Sequence, residues 1–350
     1  MENRREFPRP AARSRRLLLL CLGLAATNAA ASARLQVGLG DRYDQPIDGK
    51  RVVVYKQAEK DGLRFKYAAL WLTPGWTGWV DKGLLRRIVR DGYTPLLIYY
   101  TFGDRSSKEY LEANDGAKLK AWHEDIEKNL APLVDVGAEV LVALEPEFNV
   151  VPPSGTPLTA WEGWNDAAGK AIDALHAASP LVKVGLCPGD WGNYDLDTSM
   201  RAAAKKSDFI AFPEMRAATD PSVDASSARY RDVIGAALDF TAYLKKTFGK
   251  PILFSYLAVS SYAGADPLGW EDVQADIVGR IFDHEDELLR NGVFGLAYFS
   301  YYDDPTHGTE FFGEAERHFG LRDSRGKPKK AWAVWKARTG ARPEPAGAKR

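Results

Sequence analysis

The chain has 350 residues, 45% hydrophobic and 27% charged, enough apolar material for a large core and a composition that excludes an intrinsically disordered protein. Lys plus Arg and Asp plus Glu both number 47, so the formal net charge is zero. That balance argues against a reader of nucleic acid or another polyanion.

Near the N-terminus, Arg13, Arg15 and Arg16 precede an apolar stretch from Leu17 to Ala26, followed by small residues through Ala31-Ser32-Ala33. This is the three-part layout of a secretory signal peptide. The expected boundaries are a signal peptide over 1–33 cleaved after Ala33, a barrel over 34–337 and a disordered tail over 338–350. The apolar run is shorter than the ~20 residues that span a bilayer, so the expected protein is secreted or periplasmic, without a membrane span. Cys21 offers a lipoprotein as a lesser alternative, although it follows four leucines rather than small residues. The mature chain keeps Cys187 alone, so stability must come from the core rather than from disulfides. Five histidines (His123, His176, His284, His307 and His318) show no metal-ligand spacing. No metal or cofactor is expected, and the expected state is a monomer.

From Arg34 to Gly320, short apolar β-rich runs alternate with longer amphipathic stretches, the rhythm of parallel βα units. Eight strands are expected: 35–40, 67–72, 94–101, 139–144, 182–187, 208–212, 251–257 and 294–300. Helical spacing of apolar residues predicts helices over 160–178, 229–246 and 271–290. The first unit is ambiguous, because Val52-Val53-Val54-Tyr55 is also strand-like. No Gly-x-Gly-x-x-Gly or Walker spacing follows a strand, which disfavours a nucleotide-binding doubly wound sheet. Eight βα units in a chain of this length predict a single-domain α/β fold, the (β/α)8 TIM barrel.

In such a barrel, catalytic groups collect beyond the carboxyl ends of the strands. The fourth predicted strand runs into Glu145-Pro146-Glu147-Phe148-Asn149, and strand alternation puts Glu145 and Glu147 on one face. Carboxyl groups serve as proton donor, base or nucleophile according to surroundings, so both are candidate catalytic residues. Glu214 after the sixth strand is the third. Around them, polar and aromatic residues recur at strand ends: Trp76 and Trp79 after the second, Tyr99 and Asp104 at the third, Asn149 at the fourth, Asp190 and Trp191 at the fifth, Arg216 at the sixth, Tyr256 in the seventh, and Tyr301 and Asp303 at the eighth. A sugar offers apolar C–H faces and hydroxyls, and aromatic platforms with carboxylates, amides and Arg suit it. These residues are therefore candidate substrate contacts, with a polysaccharide or oligosaccharide as the expected partner. Trp161, Trp164, Trp332 and Trp335, on predicted helices, read as core.

Leu144-Glu145-Pro146-Glu147 resembles the Asn-Glu-Pro-Glu signature of clan A glycoside hydrolases, TIM barrels with an acid/base Glu at that place. Tyr298-Phe-Ser-Tyr-Tyr-Asp303, and Phe319-Gly-Leu continuing through Gly326-Lys-Pro-Lys-Lys-Ala-Trp332, resemble the ending of those enzymes. The sequence departs from the pattern in two places. Leu144 stands where the clan has the Asn that holds the sugar 2-hydroxyl; Asn149 is the expected substitute, because Glu147-Phe148-Asn149 resembles the Glu-x-Asn of the mannanase-like branch. The seventh strand, Ile252 to Ser261, lacks the nucleophile Glu of the clan, and Glu214 is the nearest replacement.

The resemblance implies an exported, divergent glycoside hydrolase with paired carboxylates. One alternative is a carbohydrate-binding barrel that has lost its chemistry. Another is a muramidase-like amino-sugar hydrolase using substrate assistance.

Overall fold

A computed structural model describes residues 34–40, 42–47, 49–101, 116–149, 161–190, 196–218, 232–309 and 311–340. The expected signal peptide therefore lies outside the described residues. From Leu35 onward the described chain forms one compact unit. Its strands are β1 (Gln36–Gly40), β2 (Asp44–Ile47), β3 (Lys50–Val53), β4 (Tyr67–Leu72), β5 (Thr94–Tyr99), β6 (Val140–Leu144), β7 (Val182–Leu186), β8 (Phe209–Arg216), β9 (Ile252–Val259) and β10 (Val293–Tyr298). Strands β2 and β3 pair as an antiparallel hairpin. The other eight close a barrel in the order β1-β10-β9-β8-β7-β6-β5-β4, and every pairing in it is parallel. Each of the eight expected strands is one of these staves, so the fold is a (β/α)8 barrel.

Helices cover the outside, so most strand residues are buried on both faces, and β6 reads as an unbroken apolar run, Val-Leu-Val-Ala-Leu. Alternation sorts the side chains into two clusters. Tyr67, Ala69, Leu96, Ile98, Leu141 and Ala143 pack with residues of the other strands inside the barrel. Their neighbours Ala68, Leu70, Leu97, Val140 and Val142 pack in the outer layer with the helices. Gly185 has no side chain because the Phe209 ring fills that space; a Cβ there would lie 2.3 Å from the ring.

The first unit resolves as strand then helix: Val53 ends β3 and Val54 begins the helix Val54–Lys60. The expected helix over 271–290 breaks at His284 into Glu271–Asp283 and Glu285–Arg290. The final helix, Lys330–Thr339, continues past the expected domain end at 337. Thr339 is fully buried and Arg338 ion-pairs with Asp283, so ordered structure takes in two residues assigned to the tail. Among the described residues no helix is long and apolar enough to cross a membrane.

Candidate active site

Strand β6 stops at Leu144, and Glu145 and Glu147 lie in the turn beyond it, both left-handed with φ of 45° and 63°. Non-glycine residues rarely adopt this conformation, which costs of order 1–3 kcal/mol each and persists where the surroundings over-determine it. Here the surroundings do so. The Glu145 N–H donates to Tyr99 O at 2.8 Å, and the Glu147 N–H donates to Cys187 O at 2.8 Å, tying the turn to β5 on one side and to the end of β7 on the other. Asn149 clasps the Gly189 peptide with both halves of its amide, at 3.0 Å and 2.6 Å. Phe148 packs on Trp164 with ring centroids 4.8 Å apart.

The turn gives the two acids different surroundings, which corrects the expectation that strand alternation aligns them. Glu145 is 1% exposed, and its Oε1 accepts from the Thr101 amide (3.1 Å), the Thr101 hydroxyl (2.8 Å) and the Trp122 indole (2.7 Å). Glu147 is partly exposed and acts electrostatically on Glu214.

Glu214 is carried by β8 just past an irregularity. Register with β9 shifts between Phe212 and Pro213, where proline has no N–H for the ladder. Glu214 is 2% exposed; Oε2 pairs with Arg216 at 2.7 Å, and Oε1 is buried without a hydrogen-bond partner among the described residues. Burial pushes its carboxyl up to about 8, with Asp190 and Glu147 adding to the rise and Arg216 opposing it. Three carboxyl groups from the ends of adjacent β6, β7 and β8 therefore share one electrostatic neighbourhood.

Aromatic rings line another part of the described rim. Trp71 of β4 meets Tyr256 of β9 at 4.7 Å between centroids, Phe299 after β10 at 5.2 Å and Tyr100 after β5 at 5.8 Å. Since β4 and β9 are not neighbours in the barrel, these rings meet across its interior. Around the mouth, an acidic arc on β6, β7 and β8 faces an aromatic arc on β9, β10, β4 and β5. Tyr256 was expected from the sequence; Trp71 and Phe299 were not. The signal for Trp71 was its even spacing with Tyr67 and Ala69, which places it on the inner face.

Other candidates have different employment. Trp76 is buried in the outer layer, edge-on to Tyr99 at 6.5 Å. Tyr99 itself faces outward, and its hydroxyl donates to Asp125. Tyr301 is fully buried; its hydroxyl donates to Asp61 and accepts from Arg322 and Trp332. Asp303 accepts from Lys329 at 2.6 Å and from the Gly320 amide at 2.9 Å. Trp79 is 40% exposed and lines a cleft between the segment after β1 and the helix Lys82–Arg90. Asp104 and Trp191 lie outside the described residues. Cys187 is buried 3.4 Å from the Ser255 hydroxyl, and burial raises its thiol far above the usual range, so it is not poised as a nucleophile. Among the described residues no group of three or more His, Cys, Asp or Glu could hold a metal ion.

No protein-family model matches the sequence, and comparison with curated proteins finds no match. Solved structures do resemble the fold. A β-D-glucuronidase of Dictyoglomus thermophilum superposes with a TM-score of 0.61 at 14% identity, over 89% of this chain and 51% of that one. A Bifidobacterium dentium β-glucuronidase complexed with coumarin-3-O-glucuronide gives 0.59 at 15%, over 89% and 47%. A GH5_18 protein of Bifidobacterium longum subsp. infantis gives 0.58 at 13%, over 89% and 80%. The chain spans about half the length of the two glucuronidases. These neighbours are glycoside hydrolases, and at such identities the likeness establishes the shared barrel.

Proposed function

We propose that this protein is an exported glycoside hydrolase that cleaves O-glycosidic bonds of a polysaccharide or oligosaccharide, with Glu214 and Glu147 as its working carboxyl pair. The observation that carries the reading is the mouth itself: a buried carboxyl with one oxygen unpartnered among the described residues, grouped with Glu147 and Asp190 opposite Trp71, Tyr256 and Phe299. Neighbours of the same fold that are glycoside hydrolases support it. Export rests on the three-part N-terminal sequence, and N-terminal sequencing of secreted material should begin near Arg34.

Glu214, neutral at pH 7 through burial, holds the proton that the leaving glycosidic oxygen requires. As the C–O bond breaks, that proton passes to the departing sugar and the positive charge on the anomeric carbon falls near Glu147. The Glu147 carboxylate then either takes the proton of an attacking water, or attacks the carbon to form a glycosyl ester that a water, deprotonated by the now ionised Glu214, cleaves to restore both groups; the anomer of the first product, read by NMR, separates these routes. Glu145, fixed by three donors, positions the turn that carries Glu147.

The test is sugar release from a panel of polysaccharides by wild type, Glu214→Gln and Glu147→Gln. Both substitutions should abolish turnover with little change in melting temperature. Wild-type turnover in both variants removes the assignment. The seventh barrel strand, β9, has no carboxylate. That favours one alternative, a barrel that binds glycans without cutting them. Affinity with no new reducing ends in wild type would establish it.

A further inference from the structure

Beyond β10 the chain forms a loop and then a short helix, Gly313–His318, and this segment carries a row of rings outward from the mouth. Phe299 packs on Phe319 with ring centroids 5.4 Å apart, Phe319 on Phe312 at 6.3 Å, and Phe312 on Phe311 at 5.0 Å. Phe319 belongs to the cluster inside the barrel, and Phe299 and Phe312 pack against that cluster together with Trp71. The last ring of the row leaves it: Phe311 is 54% exposed.

The backbone holds Phe311 in that position. Glu316 is 5% exposed, and its Oε1 accepts from the Phe311 amide at 2.7 Å and from the Phe312 amide at 2.6 Å. A buried carboxylate is tolerated where charge-assisted hydrogen bonds satisfy it, and here those bonds fix two successive phenylalanines. The Ser260 hydroxyl, just after β9, donates to Ala315 O at 2.7 Å, and Arg317 Nε donates to His307 O at 3.2 Å. These bonds fasten the short helix to the neighbouring loop and to the start of its own. His307 in turn lies edge-on to Phe299 at 6.2 Å, so the segment is anchored on a ring of the mouth itself.

We propose that Phe311 is a distal sugar subsite, its exposed ring stacking on an outer residue of a glycan chain that is held at the barrel mouth. The proposal rests on the reading of the mouth as a glycan site, and continuity decides the occupant. Ring contacts of 5.0–6.3 Å join Phe311 to Phe299, so an extended saccharide seated at the mouth is the ligand whose outer residues meet this ring. The apolar C–H face of a sugar covers an aromatic ring, and Phe, which has no polar atom, offers stacking without reading hydroxyls. The subsite therefore favours longer chains over shorter ones rather than one sugar over another.

Wild type and Phe311→Ala are compared on cello-, xylo-, manno- and laminari-oligosaccharides of two to six units, by sugar release and by calorimetry on the full chain. In the series that wild type cleaves, Phe311→Ala should lower kcat/KM on the hexasaccharide roughly three- to tenfold, through KM, and leave the disaccharide unaffected. Phe311→Trp should keep the preference for length. The exposed position should leave the melting temperature within about 2 °C of wild type. In a Glu214→Gln background, adding Phe311→Ala should weaken hexasaccharide binding by the same roughly three- to tenfold. Equal losses on disaccharide and hexasaccharide, no loss on either, or no binding of any hexasaccharide by wild type overturns the proposal. If wild type binds a hexasaccharide and releases no sugar, the hydrolase reading fails by itself, and weaker binding by Phe311→Ala still supports the subsite.

Discussion

Arg216 and Asp190 pull the Glu214 carboxyl in opposite directions, and burial outweighs both. If Glu214 is the proton donor, activity should fall as it ionises, giving kcat/KM an alkaline limb near about 8. Removing the guanidinium in Arg216→Gln withdraws an influence that lowers the value, so the limb should move to higher pH. Asp190→Asn withdraws one that raises it, and the limb should move down. Shifts in the same direction, or none, would remove Glu214 from the donor role. Stability carries the same sign. A carboxyl raised from 4.5 in the unfolded chain to about 8 in the fold contributes stability that is fully present below 4.5 and is lost as pH rises through about 8. Between those values the melting temperature of wild type should therefore decline relative to that of Glu214→Gln.

The turn after β6 shows what sequence could and could not reveal. The strand was legible from its apolar run, and the acids from their place at its end. Their geometry was not, because alternation holds only while the chain stays extended, and here the left-handed Glu145 and Glu147, on either side of Pro146, are stabilised by contacts from Thr101, Trp122 and Cys187, distant in sequence. Asn149 shows the same limit: its amide, expected to meet a sugar hydroxyl, is spent on the Gly189 peptide. Asn149→Ala should therefore destabilise the protein by about 1–3 kcal/mol through the buried peptide groups it strands. Denaturant unfolding checks this, and a neutral result would free Asn149 for the substrate role. Trp76 and Trp79 looked alike as Gly-flanked loop residues, yet one is core and the other exposed. Trp76→Ala should cost about 3–5 kcal/mol, whereas Trp79→Ala should stay within about 0.5 kcal/mol of wild type.

Across the whole molecule, the barrel was legible because eight apolar runs at βα spacing admit few topologies, and parallel connections prune those further. How the chain end is fastened to the barrel was not, because that depends on one buried ion pair between distant residues. Asp303, just beyond β10, meets Lys329, which immediately precedes the final helix; both are nearly buried, with Nζ 2.6 Å from the carboxylate. Lys329 also donates to Ser261 at 2.9 Å and to His318 O at 3.1 Å, so the pair joins the ends of β9 and β10 to the last helix. Burial lowers the Lys329 ammonium below its usual range, and Asp303 opposes that shift, which makes the carboxylate the partner that keeps the buried cation tolerable. Asp303→Ala removes it and leaves the charge behind, a change expected to cost about 3–5 kcal/mol. Joint replacement, Asp303→Ala with Lys329→Met, removes both charges and should recover much of that loss. A double-mutant cycle by denaturant unfolding reads the coupling. A single variant as stable as wild type would mean that Asp303 is not the fastening, and would return it to the candidates for the sugar site.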